Sequence, residues 1–472
     1  MKFLLFGTGN YYERYKKWFP KADITALLDN SERKQNTLID GIEVVAPKDG
    51  IQREYDAIII LSFYMKEMQE QLLKLGVPQE KIYHFYDLHQ LLRVGEWKQP
   101  VQYYGIHRGA LHPRHQSYNR ILLLSQDLDL GGPALALYQA ARALKRRGFE
   151  VAYASMIDGP LRDRLLQEKI SVIVDVNMQI AVMEDCDWIK DFRLLICNTI
   201  NFHVFLTKRI KGVPVIWWLH DSAFFYQGIK KRVLNEISMD HLTVCSVGAV
   251  PERAIHEVLP KISVKRLLYG VEDYFSGSRM IQKEICFITI GYIEYRKGQD
   301  ILLKAIKLLP QEIRKQAKFY FVGQNTSMLA QEVIKQAKNI PEVIVTGAVD
   351  RDTVNEMLKQ SDVMICPSRE DPMPTVCAEA MMHGVPCLVS DAIGTAEYIR
   401  TGKNGLVFQN GNIKMLAEYI AWCVCNYKKV NNMRMYAREI YQKFFSVDVF
   451  ERELLCFVNE CITEGHGSVE EC

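Results

Sequence analysis

The stretch "RILLLSQDLDLGGPALALYQAARALKRRGFEVAYAS", Arg120–Ser155, decides the fold. Its opening apolar run predicts a buried strand. Gly131 and Gly132 then form a turn in which no Cβ keeps a ligand away from the backbone. An amphipathic helix follows, Gly148 sits where a helix C-cap is expected, and "EVAYAS" predicts a second strand. Strand, loop, helix and strand make a βαβ unit, which requires parallel pairing.

Working outward, the same theme recurs on both sides. Downstream, "SVIVDV", "RLLICN", "PVIWWLH", "LTVCSV" and "KRLLYG" predict further strands of one block. A second block opens with "ICFITIGYIEYRKGQDILLKAIKLL", Ile285–Leu309, and continues through strands "KFYFVG", "EVIVTG", "DVMICPS" and "PCLVSD". Upstream, "KFLLFG", "DITALLDN" and "YDAIIILS" predict a smaller block of the same kind. The expected fold class is therefore α/β, with two facing Rossmann-like domains and an additional small N-terminal Rossmann-like domain. The boundaries follow from the pattern: an accessory domain over 1–92, a linker over 93–117, domains over 118–275 and 283–445, and a C-terminal helix over 446–465. That helix is expected to cross back to the 118–275 domain. Two open sheets whose carboxyl ends face each other form a cleft where ligands bind.

Composition bounds the function. At 472 residues the chain exceeds one ordinary core, and 48% hydrophobic with 24% charged residues is the balance of a globular protein. A net charge of +3 gives no global reason for nucleic-acid binding. Three local basic clusters, Lys145–Arg147, Lys208 with Arg209 and Lys211, and Lys230–Arg232, read as solvated ends or as a surface that visits anionic lipid. Twelve scattered cysteines with no CxxC pair read as free thiols in a reducing compartment. The apolar start stops at Gly7, too short for a signal peptide or a membrane span, so a cytoplasmic protein is expected, peripheral to the membrane at most. His107, His112 and His115 lie in the linker without a thiolate or carboxylate cluster, so no metal site is expected there.

The chemistry concentrates in "SDVMICPSREDPMPTVCAEAMMHGVPCLVSDAIGTAEYI", Ser361–Ile399. Pro372 and Pro374 keep the loop out of helix, so a helix is expected to begin near Thr375. The free amides of Thr375 and Val376, with the positive end of the dipole behind them, suit phosphate oxygens. Glu379, one turn in, is placed to reach ribose hydroxyls, and Glu370 or Asp371 to bind sugar hydroxyls. Arg296 and Lys297 precede another helix after a strand end and suit a diphosphate, Arg as a fork and Lys as a point charge.

These segments resemble the signature of the family-4 glycosyltransferases: two acidic residues eight apart, here Asp371 and Glu379, followed by "EAM" and "GVP". The first position is Asp where the family has Glu, with Glu370 directly before it. The resemblance runs from about Asn119 to Thr463. It implies a GT-B enzyme whose diphosphate-binding Lys is Lys297, with Tyr292 where the family has Arg and Arg296 as the substitute cation. It also implies a donor-facing His220 and a cleft loop at Gly131 and Gly132. Tyr269 stands where the family has Asn. The implied activity moves a sugar from a nucleotide-sugar to a glycan, lipid-linked or other glycoconjugate acceptor with retention. The alternatives are a GT-B sugar-nucleotide epimerase and a degenerate domain that binds nucleotide-sugar without transfer. No cofactor and no metal is expected. Asp127 with Asp129, and Asp185 with Asp187, are spaced like a metal motif of a different glycosyltransferase fold and are set aside.

In the N-terminal block Gly7, Gly9 and Asp29, the last twenty residues after Gly9, supply most of a dinucleotide fingerprint, but Tyr12 replaces the third glycine. They are the candidate nucleotide residues of a domain otherwise expected to act as scaffold.

Overall fold

The computed structural model describes residues 1–62, 64–92, 98–105, 119–227, 229–277, 283–324 and 328–464. Three sheets organise them. The N-terminal sheet runs, edge to edge, Thr37–Ile39, Ile42–Val45, Ile24–Leu28, Phe3–Phe6, Ala57–Ile60, Ile82–His84. All its pairings are parallel except the hairpin Thr37–Ile39 with Ile42–Val45.

The second sheet has eight strands in the order Val264–Arg266, Leu242–Ser246, Val215–Leu219, Leu194–Asn198, Arg120–Ser125, Glu150–Ser155, Ser171–Val174, Gln102–Tyr104. The third, fully parallel, runs Val343–Gly347, Ala317–Val322, Ile285–Ile290, Val363–Cys366, Cys387–Ser390, Gly405–Phe408. The central strands read as unbroken apolar runs because helices cover both faces. Trp217 and Trp218 show the consequence: consecutive residues point to opposite faces, and both side chains are fully buried.

Two expectations need correction. The stretch 93–117 is not wholly a linker, because Gln102–Tyr104 pairs antiparallel with Ser171–Val174 and closes one edge of the second sheet. Its residues are half-exposed and show no apolar run, so no strand period marked them. The strand expected at "KRLLYG" stops at Arg266, since Leu267 turns to offer its carbonyl to Trp218 Nε1 at 2.9 Å. His107, His112 and His115 lie outside the described residues.

The helix Val447–Glu464 packs on the second sheet's side of the molecule. Phe450 stacks on Trp218 at 5.8 Å, Leu454 and Val458 join the same core, and Lys265 pairs with Glu460 at 2.6 Å. The chain thus passes between the two large lobes twice, and the crossings touch: Val271 N donates to Phe445 O at 2.8 Å, and Tyr441 OH donates to Val271 O at 2.7 Å.

The N-terminal domain has its own core, which extends onto Ile180 of the second lobe. Trp18 Nε1 donates to Gln179 Oε1 at 2.8 Å, Tyr86 OH to Asn201 Oδ1 at 2.9 Å, and Lys230 pairs with buried Asp87 at 3.0 Å. Apolar surface and buried polar partners together hold this domain on the second lobe.

Candidate active site

Lys297 sits on the short turn Tyr295–Lys297 after the strand Ile285–Ile290. Gly298 follows in the left-handed region at φ 70°, and a Cβ there would lie 2.1 Å from Pro367 O. Only glycine lets this turn press against the end of the neighbouring strand Val363–Cys366. The result is that Lys297 Nζ donates to Asp371 Oδ2 at 2.6 Å, with Arg296 3.6 Å from the same oxygen. Asp371 is buried, and its carbonyl is fixed by Gly394 N at 3.1 Å. Arg296 also holds Glu294 at 3.0 Å. Tyr292, at the position of the missing cation, projects into solvent.

The helix Thr375–Met382 begins directly after Pro374 with no side-chain cap. The amides of Thr375 and Val376 have no protein acceptor among the described residues, as the two prolines before them dictate. Glu379 is buried one turn in and paired with Arg351 through Oε1. Its Oε2 is buried without a partner among the described residues, a carboxylate oxygen that a ligand hydroxyl would satisfy. Arg351 opens the helix Arg351–Gln360, whose N-cap Asp350 accepts from Thr353 N at 2.8 Å. Sequence reasoning missed Arg351; the Asp350 cap marked a helix start, but nothing local tied it to Glu379.

The opposite lip belongs to the second lobe. Gly132 opens the helix Gly132–Arg146, and a Cβ on it would lie 3.9 Å from Thr375 Cγ2 across the cleft. Gly131 is the cap before it, and Asn198 Nδ2 anchors the turn by donating to Pro133 O at 2.7 Å. Leu130, Leu135, Arg142, Arg351, Thr375 and Glu379 line one cavity of about 650 Å³ between the lobes. Two further bonds cross the cleft. Glu370 Oε1 accepts from Ala223 N at 3.1 Å, and Tyr269 OH donates to Met373 O at 3.2 Å.

His220 follows the strand Val215–Leu219, buried edge-on against Trp218 at 4.5 Å. Burial pulls its imidazole down to about 3, so the ring is neutral, and Nε2 has no partner among the described residues. Next to it, burial pushes the Asp221 carboxyl up to about 7, against the lowering effect of the Ile200 amide that it accepts at 2.6 Å.

The structure therefore brings Arg296 and Lys297 to Asp371, puts Thr375 and Glu379 in the wall of the cavity between the lobes with Gly132 facing Thr375, and buries His220 against Trp218. Gly7, Gly9 and Asp29 lie elsewhere, around a separate cavity of about 500 Å³ in the N-terminal domain. There the Asp29 carboxylate already has partners within the domain. Its Oδ2 already takes Thr8 N at 3.3 Å, the Thr8 hydroxyl and Lys34 at 3.3 Å, and its Oδ1 takes Ser31 N at 2.9 Å. Burial alone would raise this carboxyl, but those donors hold it below the usual carboxylate range.

The basic clusters are largely occupied within the chain. Arg146 pairs with Glu451, Lys145 donates to Lys169 O at 2.8 Å, and Arg209 donates to Ser238 O at 2.9 Å. No described helix is long and apolar enough to cross a membrane.

Comparison with known proteins gives the family and the fold. Residues 117–249 match the model described as glycosyl-transferase family 4, and residues 271–440 the one described as glycosyl transferases group 1. Residues 1–83 match C2185-like, N-terminal. The chain is 28% identical to a glycosyltransferase of Methanocaldococcus jannaschii over 43% of this chain and 53% of that one. It is 27% identical to N-acetyl-alpha-D-glucosaminyl L-malate synthase of Bacillus anthracis, over 56% and 73%. Against several curated relatives the matched part spans only 36% to 60% of their length. Among solved structures, HepE of Anabaena in complex with UDP superposes with a TM-score of 0.63 at 20% identity, covering 72% of this chain and all of that one. At that identity the likeness shows the fold: the two large lobes are a GT-B pair.

Proposed function

We propose, from the premise that this chain belongs to the family-4 glycosyltransferases with a GT-B fold, that it transfers a sugar from a nucleotide-sugar to a glycan or lipid-linked acceptor with retention. One observation carries the reading. Lys297 and Arg296 meet at Asp371, four residues before a helix whose uncapped start and half-satisfied Glu379 line a cavity between the lobes, with the Gly131–Gly132 turn facing Thr375. Relatives named N-acetyl-alpha-D-glucosaminyl L-malate synthase, lipopolysaccharide glucosyltransferase and sulfoquinovosyl transferase, and a fold relative solved with UDP, support a nucleotide diphosphate donor.

In this mechanism the donor diphosphate takes Lys297 from Asp371 and seats its oxygens on the amides of Thr375 and Val376. Glu379 Oε2 accepts a ribose hydroxyl while Arg351 holds Oε1. Asp371 turns to the sugar hydroxyls. The anomeric C–O bond breaks with its electron pair passing to the phosphate oxygen, and the acceptor oxygen bonds to the same face of the anomeric carbon. The acceptor proton goes to the departing phosphate, so no protein base is needed. Preorganised positive charge and dipoles lower the barrier, and neither metal nor cofactor enters the scheme. Cytoplasmic residence, with contact to the inner membrane surface for lipid-linked acceptors, belongs to the same reading; the described cysteines are free thiols, most of them buried, as a reducing compartment requires.

The test is turnover of a panel of UDP-, GDP- and ADP-sugars with and without glycan acceptors. Acceptor-dependent nucleotide release, lost in Glu379→Ala and in Lys297→Ala, supports transfer. Alteration of the donor sugar without an acceptor makes the protein an epimerase, and binding without turnover makes it a nucleotide-sugar-binding protein; either ends this proposal.

A further inference from the structure

The N-terminal cavity is lined by a polar, aromatic set that includes Thr8, Asn10, Tyr11, Arg14, Ser62 and Tyr64. Its charges are already balanced. Lys34 and Thr8 occupy Asp29, and the Thr8 amide, which a phosphate loop would offer to its ligand, points at that carboxylate instead. Arg14, the cation in the lining, reaches out of the domain to Asp127 at 3.7 Å and Asp129 at 3.6 Å. A diphosphate would have to draw Arg14 off Asp127 and Asp129 and enter beside the Asp29 carboxylate, whereas a neutral ligand displaces no charge pair. What remains is an electroneutral pocket with an exposed tyrosine ring at its mouth and amide and hydroxyl groups around it, the surface chemistry that a neutral sugar ring matches.

Its position adds the second argument. Asp127 and Asp129 open the loop that ends at Gly131, and Leu130 of that loop lines the catalytic cavity. Asp127 to Leu130 is three residues, at most about 10 Å even fully extended. One short loop therefore touches both cavities: Leu130 lines one, and Asp127 and Asp129 pair with Arg14, which lines the other.

We propose that the N-terminal cavity is an acceptor subsite that holds a neutral sugar unit of the glycan, remote from the unit that receives the new residue. This rests on the glycosyltransferase reading for its purpose, but the binding itself is measurable apart from turnover. The experiment uses the full chain in saturation-transfer NMR with maltotetraose, cellotetraose and chitotetraose, each with and without saturating UDP. At least one tetrasaccharide should bind in the presence of UDP, and Asn10→Ala and Tyr64→Ala should each weaken it at least fivefold. Where transfer is detected, the ratio of KM for a disaccharide to KM for the matching tetrasaccharide should fall at least fivefold in the same variants.

Binding of none of the three sugars overturns the proposal. So does NAD or UDP binding that Tyr64→Ala abolishes, because the cavity would then be a nucleotide site. Turnover with a KM ratio unchanged by both variants overturns it while leaving the catalytic reading intact. A wild-type chain that binds a tetrasaccharide through Asn10 and Tyr64 but turns over no donor keeps the sugar site and removes the enzyme.

Discussion

Glu370, at the cleft edge of the third sheet, accepts a 3.1 Å hydrogen bond from the backbone amide of Ala223, which belongs to the other lobe. Its neighbour Asp371 faces inward to Lys297 instead. Two adjacent carboxylates thus have different partners: Glu370 bonds across to the other lobe, and Asp371 pairs with Lys297 within its own.

Glu370→Ala should lower kcat/KM about tenfold, the lower end for a hydrogen bond to a charged, partly exposed group. Glu370→Gln keeps a side-chain oxygen for Ala223 N and should lose less. Steady-state kinetics of the two variants decides; equal losses would mean that the charge, not the bond across the cleft, is what matters.

Lys297→Met should cost about 100-fold in kcat/KM, the order seen when one charge-stabilising donor is removed from a reacting group. It also leaves buried Asp371 with Arg296 alone, 3.6 Å away, a loss below the roughly 3 kcal/mol of a buried charge stripped of every partner. Adding Asp371→Asn should restore part of the stability and none of the activity. Thermal melts beside donor turnover read the two effects separately, and additive losses in stability would refute the pairing.

Gly298→Ala should be among the more damaging single-methyl substitutions in the chain. The left-handed backbone costs a non-glycine residue about 1–2 kcal/mol, and contact with Pro367 O adds to it. The expected signature is a lowered melting temperature together with an UDP dissociation constant raised tenfold or more, since Lys297 is the preceding residue. Calorimetric UDP titration checks the second part; unaltered affinity would detach the turn from the site.

His220 and Asp221 should produce opposing pH slopes. The imidazole is depressed to about 3, so its contribution to stability is present above the unfolded value near 6.5 and is lost as pH falls. The Asp221 carboxyl is raised to about 7, so its contribution is present below the unfolded value near 3.9 and is lost as pH rises toward 7. Between about pH 4 and 6.5 the two largely cancel, each at up to about 1.4 kcal/mol per pH unit. Relative to wild type, Asp221→Asn should gain stability with rising pH in that window and His220→Gln should lose it. Urea titrations at pH 4.5, 5.5, 6.5 and 7.5 measure the slopes; parallel curves for all three proteins would show that neither group titrates abnormally.

What the sequence disclosed follows the physics of each segment. Central strands such as Leu194–Asn198 and Val363–Cys366 announce themselves because both faces are buried and every position is apolar. Thr37–Ile39 and Gln102–Tyr104 do not, because edge strands are short and largely in solvent. Lys297 and Asp371 were legible because each closes a strand–loop–helix unit, and parallel sheets bring such loops to one edge. Arg351 and Ala223 were not, since each acquires its role only by folding against a residue 28 or 147 positions away. The surroundings of Asp29 were not legible either: its spacing fits a dinucleotide fingerprint, but nothing in that spacing shows that Lys34 and Thr8 engage the carboxylate.

The two contiguous crossings at Val271 and Phe445–Ser446 fix how the lobes can move. Points so close together act as the spine of a book: they permit the covers to swing and resist sliding one past the other. Travel in such a swing is smallest beside the spine, and opening the covers must part the bonds that cross between them, Ala223 N to Glu370 among them.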